Sequence, residues 1–151
     1  MSRAVYVPRY RVSLVRESSA KVEARYARRP SEAASVLWSC MPEDVDREVF
    51  AVLLLDVRRR AVGFHVVSVG CLNSSLVHPR EVFKAAILGN AASVVLCHNH
   101  PSGDPEPSPD DVALTLQLVA AGGLLGIAVV DHIILGDSLA RHVSLHERGV
   151  V

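Results

Sequence analysis

The segment EVFAVLLLDV, residues 48 to 57, constrains the fold of this chain more than any other stretch. Its apolar core has no alternating polar positions, so a strand formed here could not expose one face to water. The segment therefore predicts a central strand that is covered on both faces of its sheet. A chain of 151 residues can supply that cover within one domain.

The rest of the chain alternates between strand and helix patterns. Further strands are predicted for AVGFHVVSVG, which forms a hairpin with the first strand through RRR, and for AASVVLCH and IAVVDHIIL. Helices are predicted for SEAASVLWSCM with Ser31 as N-cap, HPREVFKAAILGN with a stop at Gly89-Asn90, DDVALTLQLVAAGG with a Gly-Gly stop, and, as a final short helix, SLHERGVV. This order predicts an α/β domain with a mixed sheet flanked by helices.

The first 29 residues carry a surplus of positive charge. They contain eight Arg and Lys but two Glu, whereas the whole chain has no net charge. Within this basic arm, RYRVSLVRE alternates well enough to predict an early strand at a sheet edge. Such an arm either makes weak, non-specific contact with nucleic acid or lies solvated on the acidic body. We therefore divide the chain into an arm, residues 1–29, and a domain, residues 30–151.

The cysteines and the apolar runs indicate a cytoplasmic protein. Cys40, Cys71 and Cys97 are odd in number and contain no CxxC pair, which is typical of reduced thiols. No apolar run reaches the roughly 18 residues needed to span a bilayer. The N-terminus also lacks the apolar region of a signal peptide.

The stretch CHNHPSGDPEPSPDD, residues 97 to 111, combines metal-ligand side chains with a proline-stiffened loop. His98 and His100 lie at i and i+2 at the end of a predicted strand, so their side chains project to the same side. Asp111 falls in the first turn of the next predicted helix, where its carboxylate can point back toward the strand end. Two histidines and one carboxylate leave a fourth coordination position open, as in catalytic zinc sites.

Each part of this pattern also has a simpler interpretation. Ser108 and Asp111 form S-x-x-D, a variant of the capping box, with Pro109 at the first helical position. His-x-His alone is weak support for a metal site, but the two features together favour one. Cys97 alternates away from the histidines on an extended strand and is predicted to lie in the core, and Asn99 points away as well.

The stretch HNHPSGDPEPSPDD resembles the JAMM (MPN+) metalloprotease signature in its RadC-like form, and the resemblance covers nearly all of residues 30–151. It implies a single-domain JAMM/MPN, cytidine-deaminase-like fold that binds one Zn²⁺ per chain. His98, His100 and Asp111 match the zinc ligands, and Ser108 matches the serine that stabilises the oxyanion. Glu48, in DREVF, matches the general base of the family.

The resemblance implies a zinc-dependent hydrolase, most simply a metallopeptidase or isopeptidase that acts on a polypeptide or modifier-like substrate. One alternative is a DNA-repair-associated nucleic-acid-binding protein or metal-dependent nuclease, which the basic arm favours. Another is a catalytically silent interaction module, although all the expected ligands are present. Longer RadC-like proteins carry a helix-hairpin-helix region that this chain is expected to lack, so a DNA-binding role assigned through that region does not transfer.

Overall fold

A five-stranded mixed sheet forms the centre of the computed structural model, which describes residues 4–43, 46–70 and 77–151. The strands are β1 (Val49–Leu55), β2 (Ala61–Val69), β3 (Ser93–Asn99), β4 (Ala128–Leu135) and β5 (His142–Ser144), in the spatial order β2-β1-β3-β4-β5. β3 and β4 are parallel, and the other neighbouring pairs are antiparallel. The predicted α/β class with a mixed sheet is confirmed.

Within these ranges, three helices cover the two faces of the sheet: α1 (Pro30–Cys40), α2 (Pro79–Leu88) and α3 (Pro109–Leu125). α1 packs on one face, and α2 and α3 pack on the other. Every residue of β1 is buried because alternate side chains enter the two apolar clusters, as Leu53 and Leu54 do. In the part of the chain that the structure describes, no helix has the length and apolar character needed to cross a membrane.

The predicted ends of two helices are wrong. α1 begins at Pro30 with Arg29 as N-cap, so Ser31 lies inside the first turn, because the fixed φ of proline suits the first helical position. α3 passes through Gly122 and Gly123 and ends before Gly126, whose φ of 71° provides the left-handed C-cap. The Gly-Gly pair is therefore part of the helix and is not its stop.

Two further local predictions are also wrong. SLHERGVV does not form a helix, because His142–Ser144 pair with β4 as β5 and residues 145–149 form turns. RYRVSLVRE does not form a strand. Residues 4–21 are exposed and pair with no described strand, so the alternation of apolar and polar residues in this stretch does not reflect membership of a sheet. The N-terminal segment meets the sheet at Arg25 and Tyr26: the carbonyl of Arg25 accepts from the N–H of Ala61, and Tyr26 forms an isolated bridge with Arg60.

Cys97 lies in the core on the α1 side of the sheet, as predicted, and is completely buried. Burial raises the pKa of the Cys97 thiol far above its usual range, and it also raises the pKa of the half-buried Cys40. Both thiols are therefore protonated at neutral pH. Cys71 is outside the described residues.

Substitution by alanine should have opposite effects on stability at Gly122 and Gly123, the two adjacent glycines of α3. A Cβ on Gly122 would lie 2.4 Å from the carbonyl oxygen of Ile127 and 3.1 Å from the ring of Phe83, whereas a Cβ on Gly123 would meet nothing within 4 Å. We expect Gly123→Ala to stabilise the protein by about 0.5–1 kcal/mol through helix propensity. Gly122→Ala should destabilise it by roughly 1–3 kcal/mol through overpacking. Denaturant unfolding of both variants measures the difference, and equal effects would contradict this packing.

Candidate metal centre

Three side chains that the sequence predicts as metal ligands converge where β3 ends and α3 begins. The Nε2 atoms of His98 and His100 are 2.9 Å apart. The carboxylate of Asp111 lies 3.3 Å from Nε2 of His98 through Oδ1 and 3.4 Å from Nε2 of His100 through Oδ2. His98 and Asp111 are buried and His100 is partly exposed, so the group is open to solvent on one side.

The size of this group fits a tetrahedral metal ion. Metal–nitrogen and metal–oxygen bonds of about 2.0–2.1 Å place neighbouring ligand atoms about 3.3 Å apart in a tetrahedron. The observed separations of 2.9, 3.3 and 3.4 Å, of which the last two involve different oxygens of Asp111, are near that value, and one ligand atom from each residue lies within 4.8 Å of the others. The three side chains can therefore hold a small ion with little rearrangement, and they leave a fourth position open.

The chemistry of the three side chains also fits a cation. Nδ1 of His100 is 2.7 Å from the carbonyl oxygen of Asp104. Since a carbonyl can only accept, His100 donates from Nδ1, which leaves Nε2 as its nitrogen available to a metal ion. That nitrogen faces Nε2 of His98 and the Asp111 carboxylate, so the candidate ligand atoms meet at close range. A cation bound between them would take the place of the proton through which His98 bonds to Asp111.

Asp111 is both a helix-capping residue and a candidate metal ligand, the two interpretations of the S-x-x-D pattern. Its Oδ2 accepts from the backbone N–H of Ser108 at 2.7 Å, and its own N–H donates to the Ser108 hydroxyl at 3.2 Å, so the capping box is complete. The capping bond orients the same carboxylate toward the histidines. Burial by itself raises the pKa of Asp111, but the bond and charge of His98 and the bonds from Ser108 lower that pKa well below its usual range.

His132 is a neighbour of the metal ligands that the sequence interpretation missed. Its Nε2 is 2.8 Å from Nδ1 of His98, and both rings are completely buried beside Phe50. Burial lowers the pKa of His132 well below its usual range, so this ring is neutral. The only sequence signal was an ionisable residue inside an apolar strand, in VVDHIIL.

Glu48 and Ser108, predicted to be catalytic, line the same cavity as two of the ligands. This cavity has a volume of about 370 Å³ and is bordered by Glu48, His100, Pro101, Ser102, Ser108, Asp110, Asp111 and Leu114. The structure thus brings the predicted site residues together in one place. The catalytic roles of Glu48 and Ser108 stay predictions.

Asn99 holds the backbone on both sides of Glu48, a contact that the sequence also did not reveal. Its Oδ1 accepts from the N–H of Val49 at 2.7 Å, and its Nδ2 donates to the carbonyl oxygen of Arg47 at 3.1 Å. Asn99 lies between the two histidine ligands in the sequence, so one residue fixes the position of Glu48 relative to them.

The fold and this site together define a JAB-type domain, and comparison with known proteins gives the family. The model of the RadC-like JAB domain matches residues 27–150, so the chain belongs to that family. A UPF0758 protein of Clostridium beijerinckii is 48% identical over 122 residues, which is 81% of this chain and 52% of the relative. One from Caldanaerobacter subterraneus is 52% identical over 105 residues, 70% of this chain and 44% of the relative. The chain thus spans about half the length of these relatives.

We expect wild-type protein to bind one Zn²⁺ per chain and His98→Ala and Asp111→Ala to lose it, because each removes one of three protein ligands. Elemental analysis after dialysis measures the stoichiometry. Asp110→Ala, which removes the exposed carboxylate next to Asp111, should keep the metal. Ser108→Ala should lower the melting temperature through loss of the helix cap and also keep the metal. Full zinc in Asp111→Ala would show that this carboxylate only caps the helix.

Proposed function

We propose that this chain is a zinc-dependent hydrolase of the JAMM type that cleaves an amide bond in a polypeptide or modifier-like substrate. One observation carries the proposal: His98, His100 and Asp111 converge beside Glu48 and Ser108 at a single open cavity. Membership of the RadC-like JAB domain family supports it. A ligand set of two imidazoles and one carboxylate without cysteine is typical of catalytic zinc sites.

Glu48 and Ser108 supply the proton transfer and the oxyanion contact in this proposal. Bound zinc would lower the pKa of a coordinated water and polarise the carbonyl under attack. The carboxylate of Glu48 would take a proton from the attacking water and deliver it to the leaving nitrogen. The hydroxyl of Ser108 would donate to the developing oxyanion, a contact worth about 3 kcal/mol in other hydrolases. Asn99 would keep Glu48 within reach of that water.

An extended polypeptide segment suits the surroundings of the cavity. Glu48 immediately precedes β1, and β2 beside it is an edge strand that is only partly buried. An extended chain can add to such an edge through main-chain hydrogen bonds that tolerate varied side chains. A nuclease fits less well, because nucleases commonly bind two metal ions about 4 Å apart through bridging carboxylates.

We predict that Glu48→Gln keeps the zinc and the fold but loses hydrolysis by at least about 100-fold, because an amide cannot accept the proton of the water. The variant should therefore retain substrate without cutting it. Polypeptides captured from a bacterial lysate by Glu48→Gln are identified by mass spectrometry, and purified wild-type protein is then tested for cleavage of them.

Two control variants make this experiment decisive. Asp46→Asn changes an exposed carboxylate two residues from Glu48 and should cut like wild type. His98→Ala in the Glu48→Gln background should release the captured polypeptides. Recovery of nucleic acid, together with zinc-dependent phosphodiester cleavage that needs Glu48, would replace the peptidase proposal with the nuclease alternative.

Weak nucleic-acid binding by the basic arm is a second candidate function. Residues 4–21 are exposed, and Arg9, Arg11 and Arg16 lie within this stretch. Ala27, near the end of the arm, is buried and donates its N–H to the carbonyl oxygen of Arg59, so removal of all 29 residues would also damage the core. Charge replacement is therefore a better test than truncation.

We expect replacement of Arg9, Arg11 and Arg16 by Gln to weaken any binding to duplex DNA and to flatten its salt dependence. The logarithmic slope should change by about 0.9 for each phosphate that these arginines neutralise, because fewer counterions are then released on binding. Fluorescence anisotropy across a salt series measures both effects. Arg58→Gln, on the exposed turn between β1 and β2, is the matched control and should change neither. Unchanged binding in the triple variant would show that these three arginines do not contact the DNA.

A further inference from the structure

Four residues form a continuous chain of hydrogen bonds behind the metal centre, which we call the buried relay: His98, His132, Thr115 and Asp111. Nδ1 of His98 is 2.8 Å from Nε2 of His132, and Nδ1 of His132 is 2.6 Å from the hydroxyl of Thr115. That hydroxyl lies 2.6 Å from the backbone carbonyl of Asp111. The relay therefore begins at one candidate ligand and ends on the main chain of another.

The carbonyl at the end of the relay fixes the direction of every proton in it. The carbonyl of Asp111 can only accept, so the single hydroxyl proton of Thr115 points to it. The Thr115 oxygen must then accept from His132, which places the proton of that neutral ring on Nδ1. Nε2 of His132 is left as an acceptor, so His98 donates from Nδ1, which leaves Nε2 as the nitrogen of His98 that can bind a metal ion.

The members of the buried relay are shielded from water. His98, His132 and Thr115 have no accessible surface. Water therefore cannot replace a missing partner without a rearrangement of the core. His100 obtains the same tautomer from one carbonyl on a surface loop, whereas His98 needs two intermediate side chains because it lies deeper.

We propose that Thr115 and His132 are positioning residues that hold His98 in its ligating tautomer and thereby set the metal affinity of the site. The proposal rests on the metal site of the proposed function, but not on the reaction that the site performs. The relay also joins β3, β4 and α3, the three elements that surround the ligands, so it fixes the distance between His98 and Asp111.

Thr115→Val tests the relay with little change in shape. Valine cannot accept from Nδ1 of His132, and that buried N–H would be left without a partner. The ring can recover a bond by carrying its proton on Nε2, but His98 must then accept at Nδ1 and hold its own proton on Nε2. A metal ion would have to displace that proton. We expect zinc affinity, measured by competition with a chelator, to fall by about 10- to 100-fold.

Two matched variants separate positioning from packing. Thr115→Ser keeps the hydroxyl and should bind zinc within about threefold of wild type, because the relay stays intact. Leu118→Val removes a methylene group from a buried residue of the same helix. It should lower the melting temperature without changing zinc affinity. Wild-type affinity in Thr115→Val, or an equal loss in Thr115→Ser, would overturn the proposal.

Nitrogen-15 NMR of the histidine rings reads the relay directly, without any need for activity. In zinc-free wild-type protein at mildly alkaline pH, Nδ1 of His98 and Nδ1 of His132 should both show the signature of protonated ring nitrogens. Thr115→Val should move the His132 proton to Nε2. An unprotonated Nδ1 on His98 in wild type would overturn the proposal. Failure of wild-type protein to bind zinc would refute the proposed function. The NMR spectra of the zinc-free protein would still test the proton positions of the relay.

Discussion

Two-sided burial of the central strands is the constraint on which the rest of the structure depends. β1 and β3 are covered by helices on both faces, so neither can carry polar groups along its length without partners. The polar side chains of β1 and β3 therefore lie at the strand ends, whereas His132, in the middle of β4, has a partner for each of its ring nitrogens. His98 lies at the boundary, since its Nε2 faces the other ligands while its Nδ1 still lies in the core. The buried relay follows from that position, because a core nitrogen needs a partner.

The carboxylate of Asp111 belongs both to the cap of α3 and to the candidate metal centre. Asp111 closes the capping box that starts α3, and the capping bond directs it toward the histidines. Because its pKa is lowered in the folded protein, its contribution to stability is fully present above the ordinary aspartate pKa of about 3.9. That contribution is lost as the pH falls through the lower folded pKa, because the unfolded chain takes up the proton first. The cap of α3 and the candidate metal centre therefore share this carboxylate.

Local sequence patterns predicted β1 to β4, α1 to α3 and the three candidate ligands because each rests on residues close together in the chain. The apolar runs of β1 and β3 and the HNHPSGDPEPSPDD motif are of this kind. The missed features depend on distant partners: His132 is 34 residues from His98, and Asn99 is 50 residues from Val49. The end of α3 was mispredicted because Gly122 serves a close approach to Ile127 and Phe83 that no local pattern reveals.

The distribution of charge distinguishes the amide hydrolase proposed for this chain from the nuclease alternative. The cavity is bordered by the carboxylates of Glu48, Asp110 and Asp111, and no Arg or Lys is among the described residues that line it. A bound Zn²⁺ would offset part of this charge, but a phosphodiester would still bring negative charge beside these carboxylates, whereas a peptide bond is neutral until its oxyanion develops. The positive charge is concentrated instead in the exposed arm. Nucleic acid, if bound, would therefore be held by the arm, and the electrostatics of the cavity itself favour an uncharged amide.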